Sequence, residues 1–248
     1  MSVSASVSTS FSTPGLLLTV ALTAYLAFVA PWLGKHQYDR LARRRDHDPR
    51  ALVHAYRLWI AEEWVWVAVT ALILVLSPGL GPADLGFAMP GHLDQVAPAV
   101  AGMTGAIVIG ALVAHRLARS GRAVPGQAAV AELMPRTSAE RWHGLAMAVT
   151  AGVCEEIVYR GLLIAFGVGV LGLSTTAAAA LALVVFVAGH FYQGWKGMAV
   201  VALLGFWLTN VYLSTGSLLL PILVHIVIDV RGLACAPAPD RTTVGHAV

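Results

Sequence analysis

Charge is what this chain has least of. Only 12% of its 248 residues are Asp, Glu, Lys or Arg, while 58% are hydrophobic. A soluble domain of this length carries about twice that charged fraction. The balance excludes an ordinary soluble globular fold and points to several membrane-spanning helices. Cysteine is scarcer still. Cys154 and Cys235 are the only two, which excludes a disulfide-stapled scaffold. No Lys or Arg precedes the first apolar run, and that run is long enough to span a bilayer. It therefore reads as a span and not as a cleaved secretory signal. A His-Glu-x-x-His signature is missing, and so is a convincing internal repeat. The net charge of +3 does not argue for nucleic acid, because the basic residues lie in short loops between apolar runs.

What is present is a series of apolar runs at helical length. They predict an all-α, polytopic transmembrane bundle of about seven spans, near 14–33, 59–76, 96–114, 143–171, 176–190, 198–213 and 218–233. The domain reading follows. Residues 1–13 are a disordered N-terminus, and 14–129 hold three spans with a basic loop at 35–57. Residues 130–233 form a core of four spans, and 234–248 are a disordered tail. A short interfacial helix is expected at 126–134. Pro135 then breaks the chain, and Thr137 or Ser138 caps the next helix. Of 16 Lys and Arg, all but Arg160 fall on one side of the seven-span layout. The positive-inside rule then places the N-terminus outside and the C-terminus in the cytoplasm. Glu62 and Glu63, flanked by Trp59, Trp64 and Trp66, are expected near the cytoplasmic headgroups, with the alternative that one of them reaches the cavity.

One stretch breaks the apolar pattern. Cys154-Glu155-Glu156-Ile157-Val158-Tyr159-Arg160-Gly161 lies within the long run from Leu145 to Leu173. Each ionisable group there costs roughly 2.5–3.5 kcal/mol on insertion scales, so such groups face a protein interior or a wet cavity. Adjacent residues on a helix are about 100° apart, so Glu155 and Glu156 face different directions. Glu156 and Arg160 are four apart and suited to an ion pair. Glu155 is left to find a partner on another helix. Two later segments offer one, Phe186 to His190 at the end of one run and His225 to Asp229 inside another. At 1.5 Å per residue, Glu155 lies about 18 Å from the inner start of its span. Asp229 lies about 6 Å from the inner end of its own. The four groups thus fall between mid-bilayer and the cytoplasmic face. Intramembrane Glu, His, His and Asp on three helices form a candidate active site.

These motifs carry a family resemblance. Glu155-Glu156-x-x-x-Arg160, Phe186-x-x-x-His190 and His225-x-x-x-Asp229, in that order and about 35 residues apart, resemble the CPBP family. These are intramembrane proteases related to the type II CAAX prenyl endopeptidases. Pro135-Arg136-Thr137, Gly161, the run from His190 to Gly194 and that from Ser217 to Pro221 are similar to the bacterial branch. The resemblance covers roughly 130–232.

The resemblance implies an intramembrane endopeptidase in a cell membrane, acting on a membrane-inserted or lipid-anchored polypeptide. It implies water as nucleophile, with Glu155 accepting its proton and His190 holding it. His225 and Asp229 face the carbonyl oxygen, and Glu156, Arg160 and Phe186 support the site. Asp229 departs from the pattern, because many relatives carry Asn there, and Asp donates only when protonated. It has three readings here, as oxyanion donor, as orienter of His225 or as metal ligand. Zinc is the possible cofactor, with Glu155, His190, His225 and Asp229 as acceptable ligands. Metal-free glutamate chemistry is the preferred expectation. The bilayer and a polypeptide substrate are the expected partners. Two other classes compete. A non-proteolytic scaffold or immunity protein would tolerate Glu155→Gln. A transporter would use the carboxylates as proton relays and show proton-coupled uptake.

Overall fold

The computed structural model describes residues 10–90 and 128–235, with isolated positions between 98 and 120. The third expected span, 96–114, therefore lies largely outside the described residues, as do 1–9 and 236–248. The described chain is all-helical. Its one β feature is an isolated bridge between Ser10 and Gly79.

Helix α1 (Thr13–Ala24) begins with Ser12 accepting from the Gly15 amide and Pro14 in its first turn, both good start signals. A π-helical stretch, Tyr25–Val29, follows and leads into α2 (Ala30–Arg44). Pro31 explains the change of pitch. Proline has no amide hydrogen and its ring clashes with the carbonyl one turn back, which a wider turn accommodates. Helix α3 (Ala51–Leu76) returns after a tight turn.

This corrects the expected basic loop at 35–57. The chain stays helical to Arg44 and resumes at Ala51, leaving only 45–50 as a turn. The physical reason is local. Lys35 and Asp39 pair at i,i+4 at 2.6 Å, and after Gly34 no helix breaker occurs before Pro49.

Residues 77–90 fold back as an ordered strap, with a short 3₁₀ turn at Pro82–Leu85. Leu80 and Leu85 are buried, and Gly86 adopts φ +85°, where a Cβ would collide with Tyr212. The strap receives the Leu218 amide on Gly86 and the Ser217 hydroxyl on the Ala88 carbonyl, at 2.9 and 2.6 Å. It thereby anchors the start of the last helix.

A 3₁₀ turn at Ala128–Leu133 matches the expected short helix before Pro135. Helix α4 (Ser138–Glu155) then runs into a π-helical segment, Glu156–Leu162, and into α5 (Leu163–Gly169). Three more helices complete the core, α6 (Thr175–Gly189), α7 (Gly194–Thr215) and α8 (Leu219–Asp229). The connection expected between the spans 176–190 and 198–213 is shorter than predicted. Helix α7 restarts at Gly194, whose φ of +67° suits glycine and lets the chain reverse early.

Among the described residues, three helical runs are long and apolar enough to cross a membrane: Thr13–Arg44, Ala51–Leu76 and Phe191–Thr215. Thr175–Gly189 is apolar but shorter. Large side chains such as Phe28, Val75, Leu203 and Leu223 are more than half exposed on the outer surface. In water that surface would be a liability, but against lipid tails it is the expected face.

Candidate active site

The site begins at the cap of α4. The Thr137 hydroxyl accepts from the Glu140 amide, and Glu140 accepts back from the Thr137 amide, a reciprocal capping box. Glu140 also binds Arg45 through both carboxylate oxygens, at 2.7 and 3.0 Å, inside the fold. Burial pushes the Glu140 carboxyl up, but the Arg45 pair and the Arg136 and Thr137 amides outweigh it. The net result is a value below the ordinary carboxylate range. The turn between α2 and α3 is thus fastened to the start of α4, and this sets the register of Glu155 five turns further on.

At the far end of α4, the helix changes pitch where the charged motif starts. Single π-helical turns inside α-helices are often found at functional sites. Helix α8 crosses α4 closely at this level. A Cβ on Gly152 would lie 2.5 Å from Ile226 Cγ1 and 2.8 Å from its backbone nitrogen. Only glycine permits that approach, and it places His225 against the Glu155-Glu156 pair.

The contacts there are specific. Arg160 donates to Glu156 at 3.0 Å and to the Gly205 carbonyl at 3.2 Å. Its guanidinium lies over the Phe186 ring, 4.3 Å from the centroid. The i,i+4 pair is therefore formed as its spacing predicts. His225 Nδ1 lies 2.7 Å from the same Glu156 oxygen. A carboxylate held by a guanidinium accepts, so this ring nitrogen carries the hydrogen. The other ring nitrogen, Nε2, is then aimed at Glu155 Oε2, 3.5 Å away, and at Asp229 Oδ2, 3.8 Å away.

His190 ends α6. Its Nδ1 lies 2.9 Å from the Phe186 carbonyl, which can only accept, so Nδ1 again carries the hydrogen and Nε2 keeps its lone pair. Phe186 is wedged between the two imidazoles, 4.7 Å from His190 and 6.3 Å from His225 by ring centroids. Tyr192 stacks on the other side of His190 at 6.2 Å. Trp195, by contrast, is exposed.

The structure thus brings Glu155, His225 and Asp229 together, with Glu156, Arg160 and Phe186 behind them. His190 joins through Phe186 and not through a direct bond. No hydrogen bond or ion pair links it to Glu155 among the described residues. Nor do any three His, Cys, Asp or Glu side chains among the described residues form a group able to hold a metal ion.

For one of the two adjacent acids the structure favours the alternative over the headgroup expectation. Glu63, expected among headgroups beside Glu62, is 5% exposed and close enough to Glu155 and Asp229 to interact electrostatically. Glu62 turns away to accept from the Tyr25 hydroxyl at 2.5 Å. The signal available in the sequence was an adjacent acidic pair inside an apolar run, the same signal that marked Glu155 and Glu156.

Comparison with known families gives a direct result. Residues 137–231 match the family model of type II CAAX prenyl endopeptidase Rce1-like. The chain carries a domain of this family. It is a peptidase family, and the match contains all three motifs. No curated protein and no solved structure matches the chain. The matched domain and the apolar helices together point to an integral membrane protein.

Proposed function

We propose that this CAAX-type protease cuts membrane-inserted or lipid-anchored polypeptides with water as the nucleophile. The observation that carries the reading is the orientation of His225. Glu156 holds its Nδ1, which leaves Nε2 facing Glu155 at 3.5 Å and Asp229 at 3.8 Å. Glu155 accepts the proton of the attacking water. His190, with its Nε2 lone pair free, holds that water by accepting its second hydrogen. His225 in its protonated form donates from Nε2 to the carbonyl oxygen as charge develops there. Asp229 steadies that imidazolium and takes the role that Asn has in many relatives. The proton on Glu155 then passes to the leaving amine, so each turnover returns the site to its starting state.

The membrane layout belongs to the same reading. Seven spans, with the N-terminus outside and the basic turns in the cytoplasm, place the site in the cytoplasmic half of the bilayer. The substrate is a precursor peptide, a sorting signal or a transmembrane regulator entering from lipid.

Comparative proteomics of membranes carrying wild type or Glu155→Ala tests the proposal. The expected result is a polypeptide fragment present with wild type and missing with the variant. Identical fragment patterns at equal protein levels would overturn it.

A further inference from the structure

Glu63 lies outside the matched domain, on α3, yet it belongs to the site by position. Its Oε2 atom is buried and has no hydrogen-bond partner. An orphaned buried acceptor is costly and calls for an explanation; Glu156 Oε2 is the other such atom among the described residues, but Glu156 already holds Arg160 and His225 through its second oxygen, whereas Glu63 Oε2 has no such cluster around it. The neighbours say where a partner would lie. Glu63 is within electrostatic range of Glu155, Asp229, Cys154 and Tyr159, on α4, the π-helical segment after it and α8. Trp64, the next residue, donates to Thr150 of α4 at 3.3 Å, which fixes the rotation of α3 against α4.

The chemistry of the proposed reaction supplies a partner of the right kind. A peptide bond within a helix is shielded by its own hydrogen bonds. Cutting it inside a membrane requires local unwinding, which frees main-chain N–H groups that then need acceptors within the site. We propose that Glu63 is a substrate-positioning residue, whose buried, partnerless oxygen beside Glu155 and Asp229 accepts a hydrogen bond from a main-chain N–H of the unwound polypeptide. The inference rests on the proteolytic reading above. It adds a residue from the N-terminal helices to a site otherwise built from 137–231.

The test quantifies, by mass spectrometry of membranes, the fragment that depends on Glu155. Five full-length chains are compared: wild type, Glu155→Ala, Glu63→Leu, Glu63→Gln and Glu62→Gln. Thermal midpoints are measured for each. Glu63→Leu removes the acceptor and lowers the fragment about tenfold, the size of one ordinary hydrogen bond. Glu63→Gln keeps an oxygen in place and stays within about threefold of wild type. Glu62→Gln, whose native carboxylate is turned to the Tyr25 hydroxyl, leaves cleavage unchanged. The Glu63→Leu midpoint stays equal to wild type or rises, since an orphaned polar atom has been removed. Wild-type cleavage by Glu63→Leu overturns the proposal. So does a fall in cleavage that tracks a fall in midpoint for both Glu63 variants, which marks a structural residue. If no Glu155-dependent fragment exists, proteolysis itself fails and Glu63 loses its role with it.

Discussion

Arg160 touches three different things at once: the Glu156 carboxylate, the Gly205 carbonyl and the face of Phe186. The last two contacts tie separate helices, α7 and α6, to the motif. Glu156 is also the anchor of His225. A buried pair of this kind adds little net stability when intact, but removing one partner strands the other as an unpaired charge. Arg160→Leu should therefore lower the unfolding free energy in detergent by about 3–5 kcal/mol. Denaturant titration of the purified protein would show a lower midpoint. A midpoint equal to wild type would mean that the ion pair is not holding the site. Glu156→Gln is milder, because the amide oxygen still accepts from His225. It should lose stability through Arg160 while keeping part of the cleavage.

Among the helices, the decisive contact is the crossing of α4 and α8. Gly152 has no room for a side chain, since its Cβ would fall 2.8–3.1 Å from the Ile226 backbone. Gly152→Val should push α8 away, at about 1–3 kcal/mol for an overpacked contact. His225 would move from both Glu155 and Glu156, so activity should fall more than stability does. Parallel cleavage and thermal unfolding measurements check this. This crossing also marks what could be read in advance and what could not. The Glu156–Arg160 pair, the different facing of Glu155 and the Thr137 cap all follow from local helical spacing, which a sequence displays. The contact from His225 to Glu156 depends on how closely two helices approach. That distance is set by Gly152 and Ile226 together, and no local pattern reveals it. The π-helical turn at Glu156–Leu162 was likewise invisible, because i,i+4 spacing looks the same before and after it. Which of Glu62 and Glu63 turns inward was hidden too, because the rotation of α3 depends on tertiary packing, including the Trp64 contact with Thr150.

For the whole molecule, the N-terminal helices are fastened to the matched domain by Arg45 and Glu140. The sign of its pH dependence follows from the lowered Glu140 value. A carboxyl whose folded pKa is below its usual value of 4.5 contributes stability fully above that value. The contribution is lost as pH falls through the lowered folded value. Glu140→Gln should therefore flatten the acid side of a stability-against-pH curve and leave its alkaline side parallel to wild type. Thermal unfolding across the acid range would show it. The seven-span layout makes a separate prediction about sidedness. A cysteine at His47 should react with a membrane-impermeant maleimide only from the cytoplasmic face, and one at Ser174 only from the outside.

The central claim is that the Glu155 carboxylate takes a proton from water beside His190 and His225. The most direct measurement is the cleavage rate of purified Glu155→Gln on the polypeptide that Glu155-dependent proteomics identifies. The variant keeps the shape and the buried volume but cannot act as a base. Loss of a general base predicts a rate about 10²–10⁴-fold below wild type with an unchanged thermal midpoint. A Glu155→Gln protein that cleaves within a few-fold of wild type would contradict the account.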